Sequence, residues 1–507
     1  MLAVTKLQQA EEALKNAKEK VNDHYRLGYH IMAPANWIND PNGLVQYKGE
    51  YHVFYQHHPY DENWGPMHWG HVKSKDLVHW EHLPIALAPT EAYDKDGCFS
   101  GSAVDDNGVL TLIYTGNIWV DREKDILDQS QCIATSTDGI HFTKEAVNPV
   151  IAKHPEEGSG HFRDPKVWKH EDHWYMVLGT RKEDTGKVVL YKSKDLRQWE
   201  YLGVLEESDG TEGYMWECPD FFELGGKHVL LFSPQGMAAE GEKYQNLFQT
   251  GYIVGDFDYD TLKFSHGEFT ELDYGHDFYA VQTLLDDQGR RIAFGWMDMW
   301  ESPMPTKEHG WAGALTLPRE LTLADDGKLA MNPVSELAML REKPIDLSIE
   351  AINNESIHTG IKEELLEIKV EFSLKDVTAD EFGLKLRCNE EGTEETIVGF
   401  NVKTSKLFID REKSGSGVSG IRNSKVELQS DTLSLHLYLD RSSVEVFANE
   451  GFNVMTSRIY PQTSSLDFQL YAKNGAVRIK DLKVWKLKDI WKENKKSSLF
   501  QESVTYS

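Results

Sequence analysis

Cysteine is scarce in this sequence, with four residues in a chain of 507. They stand far apart and form no CxxC pair: Cys98, Cys132, Cys218 and Cys388. Secreted domains held by disulfides are dense in cysteine, and zinc or redox motifs place cysteines close together. The cysteine usage therefore excludes a disulfide scaffold, and it predicts a reduced, cytoplasmic compartment.

Positive charge and long apolar runs are also lacking. Lys and Arg number 54 against 82 Asp and Glu, which leaves a formal net charge of −28. Such a surface repels the phosphates of nucleic acids and of anionic lipids. The sequence contains no run of about 18 apolar residues, the length that a membrane span requires. We therefore expect neither a nucleic-acid partner nor a membrane partner.

The first 28 residues carry a helical pattern. Apolar residues recur there every three or four positions: Val4, Leu7, Ala10, Leu14, Ala17 and Val21. The segment lacks the continuous apolar core and the cleavage site of a signal peptide. We predict an N-terminal helical extension over residues 1–28 that packs along one face.

A short phrase recurs in the first part of the chain. Residues 74–80 (SKDLVHW) return as residues 193–199 (SKDLRQW), and a looser copy occupies residues 136–142. Each copy places an aspartate in a turn between an extended run and an aromatic residue, which is typical of a hairpin. We interpret the aromatic residues Trp80, Phe142 and Trp199 as packing between repeated units.

A second phrase interleaves with the first and occurs five times. It consists of a polar residue, a strand, a turn and a second strand, and its copies begin near Asp40, Ser100, Asp164, Glu217 and Tyr279. Four-stranded propeller blades repeat every 40 to 50 residues or so before loop insertions lengthen them. We therefore predict a five-bladed β-propeller over residues 29–333, with a β-sandwich of accidental internal similarity as the alternative.

A different β-region follows the repeats. Residues 334–349 are predicted to form a linker helix, and short alternating strands then indicate a β-sandwich over residues 350–490. Residues 491–507 form a polar tail. The predicted fold class is all-β, with a five-bladed propeller followed by a sandwich and preceded by a short α-helix.

Three of the five repeat starts are acids: Asp40, Asp164 and Glu217. They should converge, because the innermost strand of each blade lines the central channel. Carboxylates in one pocket repel each other unless one is protonated or the substrate develops positive charge. Glycoside hydrolysis meets this condition: its transition state resembles an oxocarbenium ion, and it needs a carboxylate at the anomeric carbon and an acid at the leaving oxygen.

The motifs around these acids are specific. Residues 37–43 (WINDPNG), 162–165 (FRDP) and 216–220 (WECPD) resemble the three signature motifs of glycoside hydrolase family 32, the invertases and their relatives. Supporting phrases follow in the family's order at residues 98–102, 277–280, 317–320 and 440–447. The resemblance covers nearly the whole chain, and the helical extension is similar to that of the family's bacterial sucrose-6-phosphate hydrolases. It implies a five-bladed propeller followed by a sandwich.

The resemblance also implies a role for each acid. Asp40 is expected to attack C2 of a fructosyl unit, and Glu217 is expected to protonate the departing oxygen and later to activate water. Asp164 is expected to hold fructosyl hydroxyls, with Arg163 beside it. To act as an acid, Glu217 must carry a proton when substrate binds.

Further substrate contacts are implied by position in the family's motifs: Asn39, Gln56, Trp64, Phe99, Ser100, Arg163, Tyr279 and Trp300. Gln56 has independent support, because strand alternation places His52, Phe54 and Gln56 on one face. Trp64 and Trp300 lie in loop-like stretches, where an indole stacks on a sugar or packs within the loop.

Other motifs are set aside. Residues 415–420 match GxGxxG, but a dinucleotide site must open a helix and this stretch indicates a hairpin loop. The cluster His57, His58, His68 and His71 lacks the HExxH spacing of a metal site. We predict no cofactor and no metal.

The sequence thus predicts a cytoplasmic retaining β-fructofuranosidase that cleaves sucrose 6-phosphate or sucrose. A fructan hydrolase or fructosyltransferase of the same family shares the three acids and is the first alternative. An inverting five-bladed glycosidase and a non-catalytic sugar-binding propeller are the others. Whether the phosphate is required stays open, as does a homodimer.

Overall fold

The chain is nearly all β-structure in a computed structural model that describes residues 5–428 and 430–492. The first α-helix, α1 (Lys6–Lys18), is capped by Thr5, whose hydroxyl accepts the backbone N–H of Gln8. The helix is shorter than the predicted extension, because the chain that follows it bonds to distant segments instead: Asn22 donates its N–H to the carbonyl of His309, and Gly28 donates its N–H to Asp440. None of the described helices is both long and apolar enough to span a bilayer.

Residues 36–333 form five successive small sheets. The first comprises β1 (Asn36–Tyr47), β2 (Glu50–His58), β3 (His68–Ser74) and β4 (Glu81–Leu87). The second comprises β5 (Cys98–Asp106), β6 (Val109–Asp121), β7 (Ile126–Ser136) and β8 (Thr143–Lys144). The third comprises β9 (Phe162–His170), β10 (His173–Lys182), β11 (Thr185–Ser193) and β12 (Trp199–Glu207).

The fourth sheet comprises β13 (Met215–Leu224), β14 (Lys227–Gln235), β15 (Gly251–Asp258), β16 (Lys263–His266) and β17 (Thr270–Glu271). The fifth contains β18 (Tyr279–Leu285), β19 (Arg291–Trp296), β21 (Arg319–Leu323) and β22 (Leu329–Pro333), whereas β20 (Trp311–Ala312) pairs with β1. The first strands of the five sheets contact one another in the order β1, β5, β9, β13, β18 and back to β1. They therefore form a closed ring.

The repeated Ser-x-Asp phrase has a local physical cause. In each copy the aspartate accepts two backbone N–H groups from the turn that follows it, as Asp76 does from Val78 and His79 at 3.0 and 2.8 Å. Asp138 and Asp195 repeat the arrangement. The aspartate thus replaces strand hydrogen bonds where the chain reverses. Trp80, at the end of the first copy, lies in the core as predicted.

Residues 341–487 form two larger sheets. One contains β23 (Arg341–Ile345), β24 (Ala351–Asn353), β26 (Leu366–Ser373), β31 (Thr432–Asp440), β32 (Ser443–Ala448), β33 (Asn453–Arg458) and β35 (Ala476–Leu487). The other contains β25 (Ser356–Lys362), β27 (Glu381–Cys388), β28 (Glu395–Asn401), β29 (Lys406–Lys413), β30 (Ile421–Lys425) and β34 (Asp467–Lys473). Apolar side chains from both sheets share one core.

The linker helix predicted over residues 334–349 is largely wrong. A short 3-10 helix covers only Ser335–Leu340, and β23 begins at Arg341 and pairs with β35. Pro344 is incompatible with a helix interior, and the strand partner lies far along the chain, beyond the reach of local pattern. Three further 3-10 helices cover Ala92–Asp94, Pro305–His309 and Asn449–Gly451. The tail predicted from residue 491 is wrong at its start, because Trp491 is half-buried, stacks on His82 and donates its Nε1–H to the carbonyl of His30. Residues 493–507 of that tail lie outside the described residues.

A buried ionic network joins the two halves of the chain. Arg319 binds Asp273 at 3.1 Å and Glu445 at 2.6 Å, and the three side chains are at most 1% exposed. His30 contacts Asp440 at 2.8 Å and Glu445 at 2.7 Å. Burial alone would lower the pKa of His30, but these two carboxylates raise it to about 9. The imidazole is therefore charged at neutral pH and completes the network.

Candidate active site

Each strand of the inner ring is interrupted by a bulge at the same level. Register shifts enclose Asn39 and Asp40 in β1, Ser100 in β5, Asp164 in β9, Cys218 in β13 and Ala280 in β18. Prolines follow three of these positions, Pro41, Pro165 and Pro219, and a proline cannot donate a ladder hydrogen bond. Bulges re-aim side chains. The bulges therefore direct the side chains of the five inner strands toward one region of the ring.

Asp40 accepts hydrogen bonds from a hydroxyl and an amide, besides a longer contact with the Cys218 thiol. Ser100 Oγ donates to its Oδ2 at 2.6 Å, and Asn39 Nδ2 donates to its Oδ1 at 3.0 Å. Burial raises the pKa of Asp40, as does the charge of Glu217, while the hydrogen bond from Ser100 opposes the rise. The two donors therefore favour the ionised form, which is the form that can act as a nucleophile.

Glu217 is held by four hydrogen bonds. Arg163 donates to Oε1 through Nε at 2.9 Å and Nη2 at 2.7 Å. Gln235 Nε2 donates to Oε2 at 2.9 Å, and the Tyr279 hydroxyl donates to the same oxygen at 2.5 Å. Burial and the nearby Glu217 charge raise the pKa of Tyr279 well above its usual range, so its hydroxyl keeps its proton. The orientation of this carboxyl is thus fixed from both sides.

Asp164 lies deeper than the other two acids. Its Oδ2 accepts the backbone N–H of Cys218 at 2.8 Å, and its own N–H donates to Thr115 Oγ1 at 3.1 Å. Its φ of 65° is left-handed, a conformation that Asp tolerates better than most residues. Burial raises the pKa of Asp164 to about 7; Glu217 and Asp40 add to the rise and Arg163 opposes it.

Cys218 links the acids physically. Its backbone N–H donates a hydrogen bond to Asp164 Oδ2, and its thiol sulfur lies 3.6 Å from Asp40 Oδ2. Burial raises the pKa of this thiol well above its usual range, so it is a neutral neighbour of the acids. The three acids thus surround one backbone position, between the first, third and fourth sheets.

Aromatic side chains form a cluster beside the acids. Trp64 and Phe99 meet edge to face with ring centroids 6.0 Å apart, and Trp300 stacks on Trp37 at 5.8 Å. These rings belong to one apolar cluster that also contains Cys218 and Tyr279. Trp64 and Trp300 are half-buried, so each has ring surface both in the cluster and in solvent. Stacking on a sugar and packing within the loop are therefore compatible.

Gln56 reaches the site indirectly. It is buried, and its Nε2 donates to the backbone carbonyl of Cys98 at 2.9 Å, next to Phe99 and Ser100. Sequence reasoning missed Gln235, although the pairing of Met215 with Gln235 across a tight hairpin places it close to Glu217. It also missed Gln129, which accepts from Arg163 Nη1 at 3.3 Å. Hairpin register is the sequence signal that identifies Gln235. The sequence contains no comparable signal for Gln129.

Asp164→Asn should stabilise the protein in a pH-dependent way. The pKa of Asp164 in the folded protein, about 7, exceeds its ordinary value of 3.8. Because the folded state therefore disfavours the ionised form, the loss of stability caused by Asp164 increases as the pH rises from 3.8 to about 7. Asn can keep the hydrogen bond from Cys218 and the left-handed backbone. The gain in Tm over the wild type should therefore be larger at about pH 8 than at about pH 4.5.

The control for this prediction is Asp128→Asn, which changes an exposed carboxylate on β7. It should alter Tm little at either pH. Equal Tm gains for Asp164→Asn at both pH values would contradict the assigned burial cost.

Comparison with known proteins identifies close similarities. The model of the glycosyl hydrolases family 32 N-terminal domain matches residues 30–333, and that of the family's C-terminal domain matches residues 336–486. The sucrose-6-phosphate hydrolase of Escherichia coli is 46% identical over 486 residues, covering 95% of this chain and 99% of that protein. That of Zymomonas mobilis is 45% identical over 496 residues, with 95% and 96% covered.

Solved structures agree with the fold. A GH32 β-fructofuranosidase of Bombyx mori superposes with a TM-score of 0.85 at 40% identity, covering 95% of this chain and 98% of that one. The sucrose-6-phosphate hydrolase of Lactobacillus gasseri gives a TM-score of 0.83 at 31% identity, with 95% and 97% covered. A mutant of the Bombyx enzyme is known in complex with sucrose, again at a TM-score of 0.85, 40% identity and coverages of 95% and 98%.

Proposed function

We propose, from the premise that this chain belongs to glycosyl hydrolase family 32, that it hydrolyses sucrose 6-phosphate and sucrose at the fructosyl C2 with retention of configuration. It is a glycoside hydrolase of the β-fructofuranosidase class. The observation that carries the finer proposal is the pairing of two differently held acids. Asp40 accepts bonds that favour its charge, while Glu217 is oriented by Arg163, Gln235 and Tyr279.

The architecture belongs to the same proposal. The five small sheets and the closed ring of their first strands support a five-bladed propeller over residues 29–333. The two larger sheets support a sandwich over residues 350–490. A propeller places the first strand of each blade around a channel, which explains why the five bulges meet there.

In the first step Asp40 attacks C2 of the fructosyl unit. A bond forms between a carboxylate oxygen and C2, the bond from C2 to the glucosyl oxygen breaks, and Glu217 gives its proton to that oxygen. The glucosyl alcohol leaves and a fructosyl ester of Asp40 remains. Asp164, on the other side of Cys218, accepts hydrogen bonds from fructosyl hydroxyls in this proposal.

In the second step water replaces Asp40. Glu217, now ionised, takes a proton from water as the water oxygen bonds to C2, and the ester bond to Asp40 breaks. Two displacements at C2 restore the original configuration. The proton gained by Glu217 prepares it for the next turnover.

Tyr279 explains how Glu217 can hold a proton. Arg163 and Gln235 contact Glu217 through N–H groups, which only donate, so these contacts cannot accept the hydrogen bond that a protonated carboxyl donates. The Tyr279 hydroxyl can accept, because it also lies 3.3 Å from the carbonyl oxygen of Ser233 and can donate there instead. Protonated Glu217 thus keeps a partner until the glucosyl oxygen arrives.

Hydrolysis of sucrose in the presence of methanol tests retention. A fructosyl ester on Asp40 is opened by methanol from the same face as by water, so methyl β-fructofuranoside should form alongside fructose. Formation of the α-methyl product would contradict retention and the role of Asp40 as nucleophile. NMR of the isolated methyl glycoside distinguishes the two, because the glycoside does not mutarotate.

Product analysis also separates the alternatives within the family. Sucrose and sucrose 6-phosphate should yield fructose at rates well above those from kestose and levan. Levan cleaved as fast as sucrose would identify a fructan hydrolase, and kestose accumulating from sucrose would identify a fructosyltransferase. Release of no fructose from any of these sugars would leave only a sugar-binding role.

A further inference from the structure

The turn between β6 and β7 contains an arginine without a carboxylate partner. Arg122 is exposed, and in the part of the chain that the structure describes its guanidinium makes no ion pair. The other cations of this region are paired: Lys124 binds Asp121 at 2.9 Å, and Arg181 binds Asp125 at 3.1 Å. The turn therefore neutralises its two aspartates and leaves Arg122, beside exposed Glu123, unpaired.

Arg122 lies at the edge of the aromatic cluster. Its guanidinium carbon is 5.7 Å from the centroid of the Trp64 ring and 5.6 Å from that of Trp119. Trp64 meets Phe99, the residue before Ser100, which donates to the proposed nucleophile. Cation–π contact with two indoles restricts the side chain and leaves its N–H groups free for a ligand.

The hairpin of β6 and β7 also borders the acid Glu217. Gln129, near the start of β7, accepts from Arg163 at 3.3 Å, and Arg163 binds Glu217. Asn117 on β6 accepts from Gln129 at 2.9 Å. The glucosyl group must lie on this side, because Glu217 delivers its proton to the glucosyl oxygen. Arg122, at the tip of the hairpin, is thus on the leaving-group side of the site.

We propose that Arg122 binds the 6-phosphate of the glucosyl group and determines the preference for sucrose 6-phosphate over sucrose. The inference rests on the proposed function. A guanidinium matches phosphate with two parallel hydrogen bonds, and phosphate is the one anionic group that distinguishes the two substrates. In a chain of net charge −28 a phosphate dianion needs a local cation without a carboxylate of its own.

A second cation at the site is less well placed. Lys307 lies 5.3 Å from the centroid of the Trp37 ring and donates to Asn63 at 2.9 Å. Trp37 in turn donates to Asn39, which holds Asp40 on the side of the fructosyl unit. Lys307 is therefore already engaged with Asn63, and its ring contact leads to Asp40 rather than to Arg163 and Glu217.

The test compares kcat/KM for sucrose 6-phosphate with kcat/KM for sucrose in single variants of the full chain. Arg122→Gln should lower this ratio about 10- to 100-fold, the loss expected for charge-assisted hydrogen bonds to phosphate. Arg122→Lys should lower it less, because the charge remains and the planar fork is lost. Lys124→Gln, which removes the same charge two residues away, should leave the ratio unchanged.

Inhibition by products gives a second readout. Glucose 6-phosphate should inhibit sucrose hydrolysis by the wild type more strongly than glucose does, and Arg122→Gln should remove the difference. Three results for the ratio of the two kcat/KM values would overturn the inference. The ratio could be unchanged in Arg122→Gln, it could fall equally in Lys124→Gln, or it could fall in Lys307→Gln instead. A wild type that does not prefer the phosphorylated sugar would also overturn it; fructose release would then still support the proposed function, whereas no release from either sugar would refute both.

Discussion

Asp40→Ala should lower kcat for sucrose by about 10⁴-fold or more, because the variant lacks the oxygen that forms the ester with C2. The fold should be retained, since the alanine removes only the contacts of one side chain, those with Ser100, Asn39 and the Cys218 thiol. Steady-state rates and the Kd for sucrose, measured by calorimetry, separate lost chemistry from lost binding. A loss in kcat below tenfold would show that another group is the nucleophile.

Ser100→Ala is the matched control for this prediction. It leaves the Asp40 carboxylate in place and removes the 2.6 Å hydrogen bond that favours its ionised form. One hydrogen bond to a charged group supports a loss of about 10- to 100-fold in kcat. Equal losses in Ser100→Ala and Asp40→Ala would contradict a covalent role for the Asp40 carboxylate.

Glu217→Gln should lower kcat for sucrose by about 10²- to 10⁴-fold, the usual contribution of general acid–base catalysis. The amide oxygen can still accept from Arg163, and the amide N–H can donate to the Tyr279 hydroxyl, which can itself donate to the carbonyl of Ser233, so the pocket keeps its shape. The loss should be smaller for p-nitrophenyl β-fructofuranoside at the first displacement, because nitrophenolate leaves without a proton. Pre-steady-state release of nitrophenol measures that displacement.

The same variant should accumulate the fructosyl ester, because the second displacement needs Glu217 as a base. Mass spectrometry of the quenched variant should find one added fructosyl unit on the peptide that contains Asp40. Gln235→Ala is the control, since it removes one donor to Glu217 and leaves the proton carrier. Equal losses of first-step rate with sucrose and with the nitrophenyl substrate in Glu217→Gln would contradict the role of Glu217 as the acid.

Local pattern predicted the elements whose cause is local. The Ser-x-Asp turns recur in the sequence because Asp76 and its equivalents satisfy the turn's own N–H groups. The alternation of leucines in β31 gives one buried face, as a sheet with one side in the core requires. The predicted linker helix was wrong because its backbone pairs with β35, a strand so far along the chain that local sequence does not predict the pairing.

The candidate site divides in the same way. Asp40 and Asp164 each precede a proline, and Glu217 lies two positions before one, so sequence alone marks where these strands bulge. The contacts that distinguish the acids come from other strands: Ser100 from β5 on Asp40, and Tyr279 from β18 on Glu217. Gln235 differs, because it lies on β14, the hairpin partner of β13, and hairpin register was the signal that would have identified it.

The sequence by itself determined the β-rich repeats, the three acids and the family. Those features depend on residue identity and on spacing along the chain, which hydrogen bonding within turns and hairpins translates directly into strands. Only the tertiary structure decided which acid is held by an arginine, and that Arg122 makes no ion pair with the described residues. Arg163 meets Glu217, and Arg122 meets Trp64, only when successive sheets pack side by side, because each contact joins two neighbouring sheets through residues that are far apart in the chain.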